Sequence, residues 1–368
     1  IRSCLVGSEM CIRDRSEVVG DPRVGKAHDK AVKSTLDYIE KNYMKTRVKV
    51  TGEIYKEKVN NMIIATFKHN ESRDHDPQLH THAVVANAVQ KENGDWRSAF
   101  VGEVFDNKIY LGTHYRTELA ANLRELGYDI KLSGKDATFE IAGVSEKLLK
   151  SFSSRSEEIK KVAEELGRND AKSKSEIALA TRQSKESISK DILTEKWQSI
   201  LKENSKKEIK IPKHRLVLGS KAKIAKESVE YALNHITERQ SVFKKEDVIK
   251  VAANKALGHS RMEHLEKRFE QLLKKEEVLS SQNNKHLGYY TTKESYQREV
   301  NTISLMKEGI GSSYSISKTN TVIFDRLNLK EGQKKSANFI LNSKDRVIAI
   351  QGYAGTGRLC TTYYVCMY

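Results

Sequence analysis

Cysteine is almost absent from this 368-residue chain. Its four cysteines are Cys4, Cys11, Cys360 and Cys366, all close to one terminus or the other. A disulfide framework or a cysteine metal site therefore cannot be built inside the fold. No apolar run approaches the roughly eighteen residues that a membrane span needs, and the N-terminus lacks the apolar block of a signal peptide. These absences predict a cytoplasmic protein without membrane insertion.

Negative charge is also in short supply. The chain has 65 Lys and Arg against 49 Asp and Glu, which leaves a net charge of +16 distributed along its length. Such a balance favours a polyanionic partner, whose binding would depend strongly on salt. A basic surface that takes no part in binding is the alternative.

Both ends of the chain lack any period of two or 3.6 residues. Residues 1–15 read "IRSCLVGSEMCIRDR", which resembles translated adapter sequence, and residues 358–368 read "RLCTTYYVCMY". We interpret both segments as non-native and expect the fold to lie between Ser16 and Gly357.

The residues between these ends predict an α+β fold in the opening half, followed by helices. An amphipathic helix is expected from Lys26 to Tyr43, strands at "RVKVTGEIY", "NMIIATFKH" and Leu79 to Gln90, and a tight hairpin at "ENGD". Further expected elements are a helix from Asn107 to Leu126, a strand pair, helices with capping boxes at Ser154 and Ser173, and a terminal helix before the strand "RVIAIQ". The predicted domains are 16–200, 216–300 and 301–357, with a lysine-rich linker at 201–215.

Four of the eleven histidines fall within "ATFKHNESRDHDPQLHTHAVVANAVQ". Alternate residues of a strand share a face, so His80 and His82 should project side by side while Thr81 points away. His69, at the end of a neighbouring strand, can supply a third nitrogen if the two strands pair. Three neutral imidazoles leave coordination positions open, which suits a catalytic metal. The alternative is that these histidines only pack.

The longer stretch "FKHNESRDHDPQLHTHAVVANAVQKENGDWRS" resembles the histidine motif of conjugative relaxases of the MobF class, whose TrwC-type domain belongs to the HUH endonuclease superfamily. "SFSSRSEEI" and "ATRQSK" resemble later parts of that domain. The resemblance implies an antiparallel sheet with flanking helices. It also implies that His69, His80 and His82 hold a divalent metal, Mg²⁺ or Mn²⁺ with Zn²⁺ as the alternative, on the scissile phosphate. Arg73 and His75, in the intervening loop, are expected near DNA, with a solvated His75 as the alternative.

The same resemblance implies that the nucleophilic tyrosine and its activating aspartate stand before Ser16. Tyr38, Tyr43 and Tyr55 are interpreted as packing residues, so no catalytic nucleophile is assigned. We therefore expect this polypeptide to bind metal and DNA without nicking.

The far end resembles the start of a RecD-like superfamily 1 helicase. "GYAGTGRL" carries P-loop glycines, Gly352, Gly355 and Gly357, but Arg358 and Leu359 stand where a P-loop has Lys and a hydroxyl residue. Gln333 matches the family's adenine-contacting glutamine, and the helical part before it resembles the helicase's N-terminal section. ATP is therefore expected only in an intact helicase.

The resemblance as a whole implies a bacterial relaxase-helicase fragment that acts on single-stranded DNA at a plasmid transfer origin, with relaxosome and coupling proteins as partners. Strand transfer would pass through a phosphotyrosyl intermediate. Two alternatives stay open: a non-enzymatic single-stranded DNA-binding protein and a rolling-circle replication initiator.

Overall fold

The computed structural model describes residues 2–5, 20–72, 74–143, 145–181, 188–204, 211–213, 220–282, 287–316 and 329–351. Two compact units divide the chain, Ile1–Tyr290 and Thr291–Tyr368. Among the described helices, none is long and apolar enough to cross a bilayer.

The first unit mixes helices with short antiparallel strands. Its helices are α1 (Pro22–Tyr43), α2 (Gly102–Asp106), α3 (Lys108–Glu125), α4 (Glu146–Ser151), α5 (Ser154–Glu165), α6 (Ala171–Ala180), α7 (Lys190–Asn204), α8 (Lys221–Thr237), α9 (Lys245–Ala256) and α10 (Met262–Lys274). Its strands, the last of which extends past the unit boundary at Tyr290, are β1 (Arg2–Leu5), β2 (Lys45–Val50), β3 (Glu53–Lys58), β4 (Ile64–Glu71), β5 (Pro77–Val85), β6 (Val89–Gln90), β7 (Trp96–Arg97), β8 (Ala99–Phe100), β9 (Ile130–Leu132), β10 (Phe139–Ile141), β11 (Phe243–Lys244), β12 (Val278–Ser280) and β13 (Tyr289–Thr292).

The strands form separate small sheets. Their orders are β1-β5-β4, β3-β2-β8, β6-β7, β10-β9 and β11-β13-β12. The prediction of an α+β fold with antiparallel strands and flanking helices is therefore confirmed for this unit. The tight hairpin is also confirmed, because Gln90 pairs with Trp96 and Gly94 has a φ of +90° that favours glycine.

Helix α1 begins at a strong capping site. Asp21 Oδ1 accepts a hydrogen bond of 3.0 Å from the Arg23 N–H, and Pro22 occupies the first turn, where its missing donor costs nothing. The Tyr128 hydroxyl donates to Asp21 Oδ2 at 2.7 Å. The hydrogen bonds from Arg23 and Tyr128 outweigh burial and lower the pKa of Asp21. The start of α1 is therefore tied to the chain just beyond α3.

Helices α1 and α3 form the centre of the first unit and pack against each other. Val24 and Ala31 from α1 and Leu119 and Leu123 from α3 are fully buried in the same core. The core continues into α8, α9 and α10, whose buried residues include Val229. Residues between Val24 and Ile141 and the helices α8, α9 and α10 therefore share one hydrophobic core, although the sequence predicts a domain boundary between them. A separate cluster is formed by Leu148, Phe152, Leu193 and Trp197.

Polar contacts strengthen this docking. Glu266 on α10 accepts hydrogen bonds from the hydroxyls of Tyr38 and Tyr110, both at 2.6 Å. Arg261, just before α10, forms an ion pair of 2.8 Å with Glu118 on α3 and another of 2.9 Å with Glu125. Burial first, and then the negative charge of Glu266, raises the pKa of both tyrosines, so their hydroxyls stay protonated donors.

Several expected elements differ in detail. "RVKVTGEIY" is not one strand but the hairpin β2–β3, because Thr51 and Gly52 both adopt positive φ and reverse the chain. The strand predicted from Leu79 to Gln90 ends at Val85 and resumes as β6.

The expected capping boxes at Ser154 and Ser173 are wrong. Helix α5 starts after Ser153, which makes no side-chain cap. Helix α6 is capped by Asp170, whose Oδ1 accepts from the N–H groups of Lys172 and Ser173, because this carboxylate stands closer to the helix start.

The second unit contains α11 (Lys293–Glu308) and α12 (Glu331–Asn342), which confirms the predicted terminal helix. The predicted strand "RVIAIQ", residues 346–351, is wrong: these residues pair with no strand in the described part of the chain. Val347 and Ile350 are 49% and 38% exposed. An apolar segment forms a strand only where a neighbouring backbone satisfies its N–H and C=O groups.

Removing Arg261 should loosen the docking of α10 on α3. Arg261→Ala leaves Glu118, whose side chain is only 8% exposed, without its cation. We expect the free energy of unfolding to fall by about 2–4 kcal/mol, measured by urea denaturation. Lys33→Ala, which breaks an exposed pair with Asp37, is the control and should cost under about 0.5 kcal/mol. Equal losses in both variants would contradict the docking role.

Candidate metal and DNA site

Strands β4 and β5 bring the three motif histidines together. They pair antiparallel with His69 directly opposite His80, and Phe67 opposite His82. Buried and half-buried residues alternate along β5, so Leu79, Thr81 and Ala83 face the core while His80 and His82 face outward. The prediction that His80 and His82 share a face opposite to Thr81 is confirmed.

The three imidazoles form a compact triangle on this outward face. The ring centroids lie 5.3 Å apart for His69 and His80, 5.1 Å for His69 and His82, and 5.0 Å for His80 and His82. Each ring is half-buried. Nitrogen donors on one rigid face at this spacing are a donor set that divalent transition metals accept.

The tautomer of His80 is set by its own strand. Its Nδ1 lies 2.8 Å from the carbonyl oxygen of Gln78, which can only accept, so Nδ1 carries the proton. The lone pair is then on Nε2. A backbone carbonyl behind the imidazole is the usual way in which a metal-ligating histidine is oriented.

The rings are not yet arranged around one point. His69 and His80 are stacked with an interplanar angle of only 22°, so their faces meet rather than their nitrogens. Within the described residues, no group of three His, Cys, Asp or Glu side chains is gathered in coordination geometry. Because an imidazole binds a metal in its ring plane, His69 must rotate to join His80 and His82 on one ion. The three imidazoles fit a divalent cation as a set of donors, and a change of the His69 rotamer is the one adjustment that binding requires.

The loop between β4 and β5 is held from both sides. A register shift separates His69 from Glu71, and His75 adopts a φ of +59°. His75 Nδ1 lies 3.1 Å from Glu71 Oε2, and the indole N–H of Trp197 donates to the His75 carbonyl at 2.8 Å. The interpretation of His75 as solvated is wrong, since its side chain is only 14% exposed. Arg73 lies outside the described residues.

Two features of the site were missed in the sequence. Phe67 is 53% exposed beside His82, although strand alternation alone places it on the histidine face. Strand β1 pairs with the other edge of β5, with Cys4 opposite His82. The exclusion of residues 1–15 from the fold is therefore wrong for Arg2–Leu5. Backbone pairing depends little on side chains, so an open strand edge accepts a segment without sequence periodicity.

The tyrosines expected to pack do so in two of three cases. Tyr43 is 7% exposed, and the hydroxyl of Tyr38 is bound to Glu266. Tyr55 is 50% exposed and donates to Glu53, so the packing interpretation is wrong there.

The predicted nucleotide-binding residues are not brought together in the described chain. Gln333 lies in the first turn of α12, where its Oε1 accepts a hydrogen bond of 2.9 Å from the Lys330 N–H. Gly352, Gly355 and Gly357 lie outside the described residues.

A buried histidine supports β5 from beneath. His28 on α1 is fully buried, with Nε2 2.8 Å from Thr81 Oγ1 and Nδ1 2.7 Å from the Tyr115 hydroxyl. Burial lowers the pKa of His28 from 6.5 to about 4; among the smaller contributions, Asp29 raises this pKa, whereas Lys68 and His80 lower it. A neutral imidazole therefore links α1, α3 and the strand that carries His80 and His82.

Comparison with known proteins reveals clear relatives. The family model described as TrwC relaxase matches residues 16–204. The multifunctional conjugation protein TraI of Escherichia coli strain K12 is 36% identical over 195 residues, which are 50% of this chain and 11% of that protein. The chain thus spans about a tenth of the curated relatives it matches.

Solved structures give the same result. The conjugative relaxase TrwC in a metal-free complex with OriT DNA is 32% identical, with a TM-score of 0.51, and the match covers 55% of this chain and 71% of that one. A copper-bound complex with OriT DNA gives the same identity, TM-score and share of this chain, and 69% of its own chain is covered. A complex with a 27-mer DNA that contains the recognition hairpin and the cleavage site is matched over 72% of its chain.

Stability should fall in acid because of His28. The unfolded chain takes up a proton near pH 6.5, whereas folded His28 does so only near pH 4, so the unfolded state binds more protons between these values. Lowering the pH through this window should remove up to about 3 kcal/mol of the free energy of unfolding.

The measurement is urea denaturation between pH 7.5 and 4, comparing the wild type with His28→Gln. The variant should show a flatter pH dependence whatever its stability at neutral pH. The control is His235→Gln on an exposed part of α8, which should keep the wild-type slope. A slope in His28→Gln equal to that of the wild type would refute this origin of the acid sensitivity.

Proposed function

Because this chain belongs to the TrwC relaxase family, we propose that it binds single-stranded DNA of a plasmid transfer origin and places a phosphate at the histidine face. The observation that carries this proposal is the triangle of His69, His80 and His82, with centroids 5.0 to 5.3 Å apart on a half-exposed sheet face. The resemblance to the family motif implies the same three histidines, so both the geometry and the sequence support the relaxase interpretation of the site.

His69, His80 and His82 would hold a divalent cation, Mg²⁺ or Mn²⁺ with Zn²⁺ as the alternative. When bound, such an ion supplies positive charge to a non-bridging phosphate oxygen. His80 is already oriented, since its Nδ1 donates to the Gln78 carbonyl and its Nε2 is left to ligate. The relative TrwC has structures with OriT DNA described as metal-free and as metal-bound, which supports a divalent metal at this site.

DNA would reach this face through charge and stacking. The net charge of +16 attracts a phosphate backbone from solution. Phe67, exposed beside His82, offers a ring face on which an unpaired base can stack. Arg73 and His75, from the loop at the end of the same strands, are proposed to contact DNA at the edge of the site. The anchoring of His75 by Trp197 would fix where that contact is made.

We further propose that this polypeptide binds without nicking. The family reaction joins the cut strand to a tyrosine, which must lose its proton to attack phosphorus. Tyr110 is buried, Tyr38 is half-buried, and their hydroxyls share Glu266; burial first, and then the charge of Glu266, raises the pKa of both. Burial likewise raises the pKa of Tyr43. These phenols are therefore poor nucleophiles, which supports the expectation that none of the three is the family's nucleophilic tyrosine.

The further activities of the longer relatives are proposed only for a longer protein that would contain this chain. There, strand transfer through a phosphotyrosyl intermediate, relaxosome and coupling proteins, and an ATP-driven helicase following residue 301 would complete the conjugation machinery. Gln333 and the glycines at 352, 355 and 357 would belong to that helicase. A cytoplasmic location agrees with these roles.

Calorimetric titration with Mn²⁺ tests the site. We expect one binding event in the wild-type chain and its loss in His80→Ala, because removing one of three imidazoles breaks the donor set. His235→Ala, an exposed histidine on α8, should bind Mn²⁺ like the wild type. His80 faces away from the core, so its replacement should leave the fold intact by circular dichroism. Absence of Mn²⁺ uptake together with intact DNA binding would favour the non-enzymatic DNA-binding alternative.

A second prediction concerns the reaction. Incubated with Mn²⁺ and an end-labelled oligonucleotide carrying a family transfer origin, the chain should shift the DNA in a native gel but leave its length unchanged on a denaturing gel. Accumulation of a shortened strand or of a covalent protein–DNA adduct would refute the proposed lack of a nucleophile.

Phe67→Ala should weaken the native-gel shift about tenfold if a base stacks there.

A further inference from the structure

A groove lies elsewhere in the first unit, away from the histidine face. It has a volume of about 710 Å³ and is formed between the β9–β10 turn on one side and helices α8 and α9 on the other. No residue of β4 or β5 lines it. The groove therefore belongs to a different surface from the histidine face.

Positive charge dominates its walls. Lys135 comes from the β9–β10 turn, Arg239 follows α8, and Lys250 and Lys255 lie on α9. Lys250 is paired with Asp247 at 3.0 Å. Within the described residues, Lys135, Arg239 and Lys255 form no ion pair.

Asp136 and Asp247 are the carboxylates in the groove, so the cations are in excess. Solvated cations that converge on one groove from several elements provide a track for a phosphate backbone.

Two aromatic rings lie on the same wall. Tyr231 and His235, one turn apart on α8, have ring planes only 2° apart and centroids separated by 6.0 Å. Tyr231 is 47% exposed, and the ammonium of Lys255 lies over its ring, 5.1 Å from the centroid. The rings are thus oriented together and held at the surface rather than packed into the core. An unpaired base stacks on Tyr231 when the flexible side chain of Lys255 moves from the ring to a neighbouring phosphate.

We propose that this groove is an accessory binding site for single-stranded DNA, with bases stacking on Tyr231 and His235 and phosphates on Arg239, Lys255 and Lys135. Duplex DNA fits less well, because its base faces are covered by their neighbours and cannot reach the rings. The choice of DNA as the ligand of this groove rests on the proposed function. The residues that line the groove, however, are different from those of the histidine site. Such a groove holds the strand at a second point and increases its effective concentration at the histidine face.

Fluorescence anisotropy of the full chain with labelled oligo(dT) tests this site. Arg239→Ala/Lys255→Ala should raise Kd about tenfold at low salt. The slope of log K against log salt should become shallower by about 1.4, since each lost phosphate contact on a single strand removes about 0.7. The matched control is Lys223→Ala/Lys226→Ala, two exposed lysines of α8 that do not line the groove. It removes the same charge and should have a clearly smaller effect.

Stacking is tested separately from charge. Tyr231→Ala should raise Kd about tenfold with an unchanged salt slope, because no phosphate contact is lost. Its control is Tyr296→Ala, another exposed helical tyrosine, which should bind like the wild type. The proposal would be overturned if the Arg239→Ala/Lys255→Ala variant and the control lysine variant lost the same DNA affinity, or if Tyr231→Ala lost none. Binding would then reflect non-specific charge.

Photocrosslinking gives an independent result that needs no groove variant. Oligo(dT) carrying 5-iododeoxyuridine should crosslink to the peptide that contains Tyr231 and His235, and duplex competitor should not suppress this product. The same crosslink should persist in His80→Ala, which separates failure of this proposal from failure of the metal site. Crosslinks confined to β4 and β5 would refute the groove as a DNA site.

Discussion

The pairing register of β4 and β5 is the constraint on which the site depends. With His69 opposite His80, three imidazoles occupy one face, while Leu79, Thr81 and Ala83 occupy the other and seal the core. Side chains alternate strictly along a strand, so a slip by one residue would place His80 and His82 inside and Leu79 and Ala83 in water. Burial of the apolar face therefore also sets the position of the histidines.

The helices beneath the sheet maintain this register. His28 is bound to Thr81 on β5 and to Tyr115 on α3, so the central strand is attached to both helices through one neutral side chain. Helix α3 in turn carries Glu118, which Arg261 contacts from the start of α10. The histidine face is thus the outer end of a chain of contacts that runs from β5 through α1 and α3 to the start of α10. Its position depends on parts of the sequence almost two hundred residues away.

Local sequence patterns predicted the features of the fold that depend on neighbouring residues alone. Strand alternation placed His80 and His82 correctly, and the Asn-Gly turn gave the β6–β7 hairpin, because neighbouring residues determine both. The strand at residues 346–351 was not formed, since strand formation requires a partner that composition does not reveal. The pairing of β1 with β5 was missed for the same reason, because an open backbone edge carries no sequence signal. The stacked rotamer of His69 and the shared core of α3 and α10 are tertiary outcomes that no spacing encodes.

The family match ends at residue 204, whereas the compact unit that contains it continues to residue 290. Glu266 accepts hydrogen bonds from the hydroxyls of Tyr38 on α1 and Tyr110 on α3. Residues on both sides of residue 204 therefore depend on each other for these contacts. Exchange of the helical part for that of a distant relative would remove the carboxylate that the hydroxyls of Tyr38 and Tyr110 share. A segment that keeps both sides of this contact must therefore extend beyond residue 204 to include α10.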